Sequence, residues 1–347
     1  MENFFRAIES IVNEIKIVEE RRKRLAEIIK NSKISSSQFL ESELIKKVER
    51  KDLSARIAGI DSSILQKSLH GIDILLIRAV SVVYNFENGK LKNVEYYSPS
   101  LFFEPIVFQN QFSEIDLDLA TNIVRQKKEV DIARETIEKF RPNFVLMDGS
   151  ILPHYIPSID KDSPLYSYYK KAIEAYKKLF ETSRKFKTIL AGIIEDSRAA
   201  RFCNLIAESL KLEKEFLLIL EKSKDTNLLE YILKKGERTA TFYYSSQPSI
   251  FEFNSKDFVS FYVKVCDFDF PLRVDFLNSR ENVADEISSI LLSMVTSEDY
   301  SFPSVLIEAD LRARLSEKEM EIFYNELAGR LGFISSIRKR RRERRPF

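Results

Sequence analysis

Two aspartates stand where a chain ordinarily avoids a charge. Asp61 follows the apolar run Ile57-Ala58-Gly59-Ile60, and Asp148 follows Phe144-Val145-Leu146-Met147. Runs of that unbroken apolar character read as buried strands, so each acid is expected to end a strand. Small residues follow both, Ser62-Ser63 in one case and Gly149-Ser150 in the other. A carboxylate at the end of a buried strand is costly to desolvate unless a cation or a hydrogen-bond donor meets it. Two such acids on adjacent strands would repel each other, and oxygen ligands on rigid strands suit the hard cations Mg²⁺ and Mn²⁺. Taken singly, each acid also fits a turn-capping role, Asp-Gly being a common turn dipeptide.

Other chemistries find no support in the chain. It contains no Walker A sequence, no dinucleotide-binding glycine fingerprint, no nucleophile elbow and no paired-histidine zinc motif. Its two cysteines, Cys203 and Cys266, cannot build a disulfide framework or a thiolate zinc site, and its two histidines, His70 and His154, cannot build a histidine-rich metal site. That cysteine usage points to a reducing compartment, and no apolar run is as long as a membrane span. The opening MENFFRAIESIVNEI reads as an amphipathic helix rather than a signal peptide, so a cytoplasmic protein is expected, with no membrane contact.

The elements that must position the acids follow from periodicity. Phe4, Ile8, Ile11, Ile15, Val18, Leu25 and Ile29 recur at helical spacing, interrupted by Arg22, and predict an N-terminal helix able to pack on a second subunit or on its own domain. A break at Ser35 to Ser37 precedes a second expected helix, to about Lys51. The pattern then changes to strands: Ala55 to Asp61, Ile72 to Phe86, and Lys92 to Tyr97. Asn88-Gly89 joins the last two as a hairpin, giving an antiparallel meander. A helix from Ser113 to about Phe140, the strand Phe144 to Asp148, a helix from about Ser163 to Thr182, a strand Thr188 to Ile194 and a helix from about Ser197 to Leu210 come next. Strands are expected at Thr239 to Ser245, Phe258 to Phe268 and Leu272 to Phe276, then helices from Glu281 to Ser297 and in the last quarter, where Ser316 and Glu319 form a capping box for a helix ending near Gly329.

A strand bearing an Asp, two antiparallel strands, a helix, and another strand bearing an Asp is the order of a ribonuclease H-like fold. The predicted architecture is a mixed α/β sheet flanked by helices, with helical additions at both ends. In that arrangement the intervening helix supplies a Glu. Here it offers Glu114, Glu129, Glu135 and Glu138, and Arg125, Glu129 and Ala133 share one face at four-residue spacing. Glu129 is the favoured one, with Glu135 open as the alternative.

Taken together, Ala58-Gly59-Ile60-Asp61-Ser62-Ser63, Arg125-x-x-x-Glu129-x-x-x-Ala133, Phe144 to Ser150, Tyr300-Ser301-Phe302-Pro303 and Glu308-Ala309-Asp310-Leu311-Arg312 carry a resemblance. From about Ile57 to Glu321 the chain resembles the NurA nucleases, archaeal and bacterial enzymes that partner the hexameric HerA DNA translocase. The resemblance implies a ribonuclease H-like core similar to the PIWI domain, Mn²⁺-dependent cleavage of DNA in end resection and double-strand break repair, and a homodimer with a central channel. It carries metal-binding roles onto Asp61, Glu129 and Asp148, and an active-site role onto Tyr300. Departures exist. Asp61 is followed by Ser62 where the family often has Gly, and Glu308 stands where many members place a His. Glu308 is then the expected fourth metal ligand, with Asp310 competing from a direction about 200° away around a helix. Glu195 precedes Ser197-Arg198 where the family often has a Lys, leaving Arg198 or Arg201 as phosphate contacts or surface ion pairs; Arg125 is a further expected DNA contact.

The expected chain comprises an N-terminal helical segment (1–52), a nuclease domain (53–335) and a basic tail (336–347). Its expected chemistry is hydrolysis of DNA phosphodiesters with two divalent cations, by exonuclease action and single-strand endonuclease action. A catalytically weak adaptor of a DNA translocase is the second reading, and a resolvase or transposase relative the third. Composition is compatible with all three. At 44% apolar and 12% aromatic residues the chain is too apolar for disorder, and its net charge of +2 hides a tail of +6 from Arg338 to Phe347. Arg338, Lys339 and Arg340 begin that tail, which suits contact with a polyanion or simple solubilisation.

Overall fold

The computed structural model describes residues 2–32, 37–99, 103–109, 112–153, 156, 159, 161–244, 250–251, 253–332 and 334–340. Ser35 and Ser36, His154, Ser245 and the tail beyond Arg340 lie outside them. Along the chain come α1 (Glu2–Lys30), β1 (Ile45–Lys47), β2 (Arg56–Ser68), β3 (Asp73–Glu87), β4 (Lys90–Tyr97) and β5 (Glu104–Phe108). Then follow α2 (Glu114–Phe140), β6 (Phe144–Asp148), α3 (Tyr166–Phe186) and β7 (Ile189–Ile194). Three short helices, α4 (Arg201–Ser209), α5 (Lys214–Lys222) and α6 (Asp225–Ile232), precede β8 (Glu237–Thr239), β9 (Phe242–Tyr243), β10 (Phe258–Lys264) and β11 (Leu272–Leu277). Helices α7 (Val283–Met294), α8 (Ser304–Ala313) and α9 (Glu317–Leu331) follow, and a short 3-10 turn (Ser335–Ile337) comes last. No described helix is long and apolar enough to cross a membrane.

The chain divides into two compact units. One comprises Met1–Leu53 with Ala191–Ser304, the other Ser54–Leu190 with Val305–Phe347.

In the first unit β10 is central, antiparallel to β11, β8 and β9, and β11 pairs antiparallel with β7. Leu25, Ala26 and Ile29 from the end of α1 bury themselves among Phe202, Leu205, Ile206, Leu228 and Leu229 of α4 and α6. The helix expected up to Lys51 is absent: the short strand β1 runs there, pairing Ile45 with Thr239. The strand expected from Thr239 to Ser245 is broken after Thr239 because the Glu41 carboxylate takes the Thr241 N–H at 2.7 Å, a donor that a continuous ladder would need.

The second unit holds the predicted meander. β2 and β3 pair over their whole length from Arg56↔Asn85 to Ser68↔Asp73, and β4 returns on β3 through Asn88-Gly89, both with positive φ, as a two-residue hairpin turn requires. β5 adds to β3 on the stretch that β4 leaves free. On its other side β2 takes β6 in parallel. α2 starts at Ser113, whose hydroxyl accepts the Asp116 N–H at 3.1 Å, and stops where Arg141 adopts a left-handed conformation before Pro142. Leu117, Ala120 and Ile123 of α2 pack on Leu75 of β3 and Ala172 of α3.

Candidate metal centre

Parallel pairing of β2 with β6 sets the two aspartates side by side. The paired residues run from Ile57↔Phe144 to Ile60↔Met147, and the next position on each strand is the acid, Asp61 and Asp148. Asp61 does not end its strand, as the sequence suggested; β2 continues to Ser68 against β3, with Asp61 opposite Val80. What ends at this level is β6, so β2 loses one neighbour beyond Ile60 while keeping the other. Ser62 and Ser63 have the look of turn residues, yet the apolar β3 opposite them holds the ladder together. Asp61 is 6% exposed, and its Oδ1 accepts the N–H of Ser62 at 2.6 Å. Two residues earlier, Gly59 has no room for a side chain: a Cβ there would lie 2.6 Å from the carbonyl oxygen of Val305. That close approach seats the first turn of α8 directly on β2.

Glu129 enters from α2. It is 5% exposed, accepts the Ser62 hydroxyl at 2.6 Å and forms an i,i+4 ion pair with Arg125. The rival glutamates are engaged elsewhere. Glu135 accepts the Tyr97 hydroxyl at 2.9 Å, and Glu138 pairs with Arg134 at 3.0 Å. Small Ala133, one turn after Glu129, is fully buried, as its place on that face anticipated.

Electrostatics tie these side chains into one group. Burial first, then the charges of Asp148 and Asp310, push Asp61 up to about 7 against the Ser62 N–H and Arg125, which pull it down. Burial also drives Glu129 up to about 7; Asp61 and Asp148 add to the rise, while Arg125 and the Ser62 hydroxyl oppose it. Asp148 lies open to solvent at the strand end but is shielded on its protein side; that burial raises it, with Asp310 adding and Arg125 opposing. Arg125 is therefore the cation that acts on all three acids.

From α8, the charge of Asp310 reaches Asp61 and Asp148. Glu308 accepts the Tyr96 hydroxyl at 3.0 Å and the Arg312 guanidinium at 2.9 Å, while the Arg312 guanidinium lies 4.6 Å from the centre of the Tyr96 ring. Asp310 pairs with Arg314 at 2.6 Å. The helical offset between 308 and 310 sends the two carboxylates to different surroundings.

These groups suit a hard divalent cation by chemistry. They are all oxygen donors, Asp61 and Glu129 among them are buried, and Arg125 offsets the repulsion among Asp61, Glu129 and Asp148. Among the described residues no three Asp, Glu, His or Cys side chains stand ready in a coordinating arrangement. The reason is visible in the hydrogen bonds: Glu129 is turned to Ser62 and Arg125, and Asp61 to the Ser62 N–H.

Tyr300 belongs to the first unit, is 45% exposed and has its ring 6.3 Å from that of Phe302. Arg198, also of the first unit, is exposed, and Arg201 there bonds Gln38 at 3.2 Å. The described start of the basic tail is docked on the second unit. His70 N–H donates to the Arg338 carbonyl at 2.9 Å, Lys339 bridges to Leu69 and lies over Tyr324, and Arg340 stands 3.7 Å from the buried Asp73 carboxylate. A cavity of about 610 Å³ opens in the first unit, where Arg238 is paired with Glu41 and Asp285, and Arg280 with Glu286.

Comparison with solved structures places this fold beside NurA structures. The NurA nuclease from Sulfolobus solfataricus superposes with a TM-score of 0.63 at 13% identity, covering 95% of this chain and 97% of that one. NurA with manganese gives 0.54 at 11% identity over 94% and 99% of the two chains, and NurA bound to dAMP and manganese 0.53 at 12% over 92% and 95%. At these identities the likeness is one of fold, and the fold is the mixed α/β, ribonuclease H-like one expected from the order of elements. Comparison with curated protein sequences found no match. The NurA domain matches residues 55–315, which take in both strand aspartates, the glutamate of α2 and both acids of α8. Spanning most of the chain, that match settles its kinship: the protein belongs to the NurA family.

Proposed function

We propose that the chain is a Mn²⁺- or Mg²⁺-dependent deoxyribonuclease that hydrolyses DNA phosphodiesters. The observation that carries the reading is the grouping of Asp61, Glu129 and Asp148, each raised by burial, with Asp148 acting on Asp61 and both aspartates acting on Glu129. Asp61, Glu129 and Asp148 would hold the cations, with Asp310 in the place first expected of Glu308. Two divalent ions, when bound, would supply charge neutralisation toward the scissile phosphate and activation of the attacking water. The protein's own part is to hold the acids in register on β2 and β6 and to exclude water from Glu129. Arg125 contributes a guanidinium among the acids, where a phosphate would meet it. A relative of the same fold is known bound to dAMP and manganese, which supports a nucleotide product at such a site.

The wider reading is exonuclease action on DNA ends, with single-strand endonuclease action beside it, in cytoplasmic double-strand break repair with a HerA-type hexameric translocase. A homodimer is part of it, supported by the exposed apolar side chains of α1. The Arg125–Glu129 pair and the engagement of Glu308 by Tyr96 and Arg312 favour, as a second reading, a catalytically weak adaptor of the translocase. One experiment separates them. Asp61→Ala and Asp148→Ala should each abolish Mn²⁺-dependent degradation of single- and double-stranded DNA, and Mn²⁺ should raise the Tm of the wild-type chain. Activity retained in either variant would refute the site, and a Tm unmoved by Mn²⁺ would favour the adaptor.

A further inference from the structure

Beside the acids lies a cavity of about 290 Å³ that the metal chemistry does not use. Leu119 and Ile123 of α2 give it an apolar floor, continuous with the cluster that α2 and α3 bury between them. Half-buried Tyr169 of α3 adds an aromatic wall. Gln126 and Asn122 bring two side-chain amides to the lining; the Asn122 amide already donates to the Asp118 carbonyl at 3.0 Å, which orients it, and each amide carries both a donor and an acceptor group. Arg125 lines the same cavity while its guanidinium pairs with Glu129, so cavity and acidic site share a residue.

A planar apolar body with donors and acceptors around its edge fits such a lining, and that is the description of a nucleobase. We infer that this cavity is a nucleobase subsite that receives one unstacked base of the DNA strand whose phosphate lies at the acids. The inference rests on the nuclease reading and adds to it a reason why the substrate strand must be single at the point of entry. Tyr169 supplies the stacking surface, Asn122 and Gln126 contact the base edge, and Arg125 bridges base and phosphate. Amides of both polarities suit any of the four bases, so recognition of a base without strong sequence preference follows.

The test uses a probe with no phosphate and no need of metal: free 2-aminopurine deoxyribonucleoside, titrated into the full chain in EDTA. Wild-type protein should change the fluorescence saturably, and Tyr169→Ala and Gln126→Ala should each weaken that binding on the order of five-fold or more. Gln126 is not part of the buried cluster, so Gln126→Ala keeps the test valid if Tyr169→Ala unfolds. A second arm measures Mn²⁺-dependent cleavage of oligonucleotides carrying an abasic site at either end. The abasic site should raise KM for wild type and add nothing further in Gln126→Ala. The absence of saturable binding, equal binding by wild type and Gln126→Ala, or an abasic effect undiminished in that variant would each overturn the subsite. Failure of wild type to cleave intact DNA would instead count against the nuclease reading, and leaves the nucleoside titration standing.

Discussion

Asp61 is held where its ionised form is unwelcome, and this makes its contribution to folding measurable apart from any reaction. An unfolded chain would ionise it near 3.9, whereas burial and the facing Asp148 push it up to about 7 in the fold. Between those values the folded state keeps a proton that the unfolded state has released. The stability present below about pH 4 is therefore lost as pH rises through about 7. At pH 8, without divalent cations, Asp61→Asn should raise stability by on the order of 2 kcal/mol, seen as a higher Tm, because the amide keeps an oxygen for the Ser62 N–H and removes the charge. The same variant should lose most of the Tm rise that Mn²⁺ gives wild type. An unchanged or lower Tm in EDTA would show that the acids do not repel one another as their placement implies. Glu129 obeys the same logic through Arg125. An i,i+4 pair legible in the sequence turns out to be the internal counter-charge of the site rather than a surface contact.

At the scale of elements, Gly59 is where strand, helix and site meet. A methyl group there would collide with the Val305 carbonyl at the start of α8, and a backbone group cannot swing aside as a side-chain tip can. Gly59→Ala should cost about 1–3 kcal/mol and, by lifting α8, withdraw Asp310 from the acids. DNA cleavage should then fall more than tenfold in protein still folded by circular dichroism. Full activity would show that α8 does not need this seat. A separate element-level device is Arg238, 1% exposed, clamped by both Glu41 oxygens at 2.7 Å and by Asp285. Burial works against the charge on Glu41, but Arg238, Lys46 and the Thr241 N–H outweigh it and hold Glu41 down to about 2. A lowered acid stabilises the fold above its unfolded value near 4.3 and loses that contribution as pH falls toward 2. Glu41→Gln should therefore flatten the acid limb of the stability curve, by about 2 kcal/mol after allowance for solvent screening. An acid limb identical to wild type would refute it. These elements also show what a sequence conveys. The meander, α2, β6 and the capping box at Ser316 were legible because period, Asn88-Gly89 and cap residues are local signals. The length of β2 was not, because Ser62 and Ser63 stay in the strand only through their partners on β3. Neither was the engagement of Glu308, which depends on where Tyr96 of β4 comes to lie. Glu41 interrupting a strand some 200 residues away had no local trace either.

For the whole molecule the informative surface is α1. Its last turns are anchored, with Leu25, Ala26 and Ile29 fully buried, whereas Phe4, Phe5, Ile8, Ile11 and Ile15 are between 41% and 64% exposed. An apolar stripe of that kind on a folded chain marks an interaction site rather than idle surface. Phe4, Ile8, Ile11, Ile15 and Val18 repeat at intervals of four, three, four and three, the spacing of a coiled-coil seam. In the proposed homodimer this seam would meet its own copy, as a two-fold contact uses one self-complementary patch. Each leucine- or isoleucine-sized side chain that passes from water into such a seam contributes about 1.5–3 kcal/mol. Two glutamates placed at its centre should therefore abolish association. Ile8→Glu combined with Ile15→Glu should turn a dimer into a monomer by light scattering coupled to gel filtration, with little change in Tm, because both positions lie outside the buried cluster that anchors α1. A dimer that survives the double substitution would remove α1 from the interface. A wild-type chain that is monomeric at micromolar concentration would leave the stripe to a different protein, with the translocase the first to be tried.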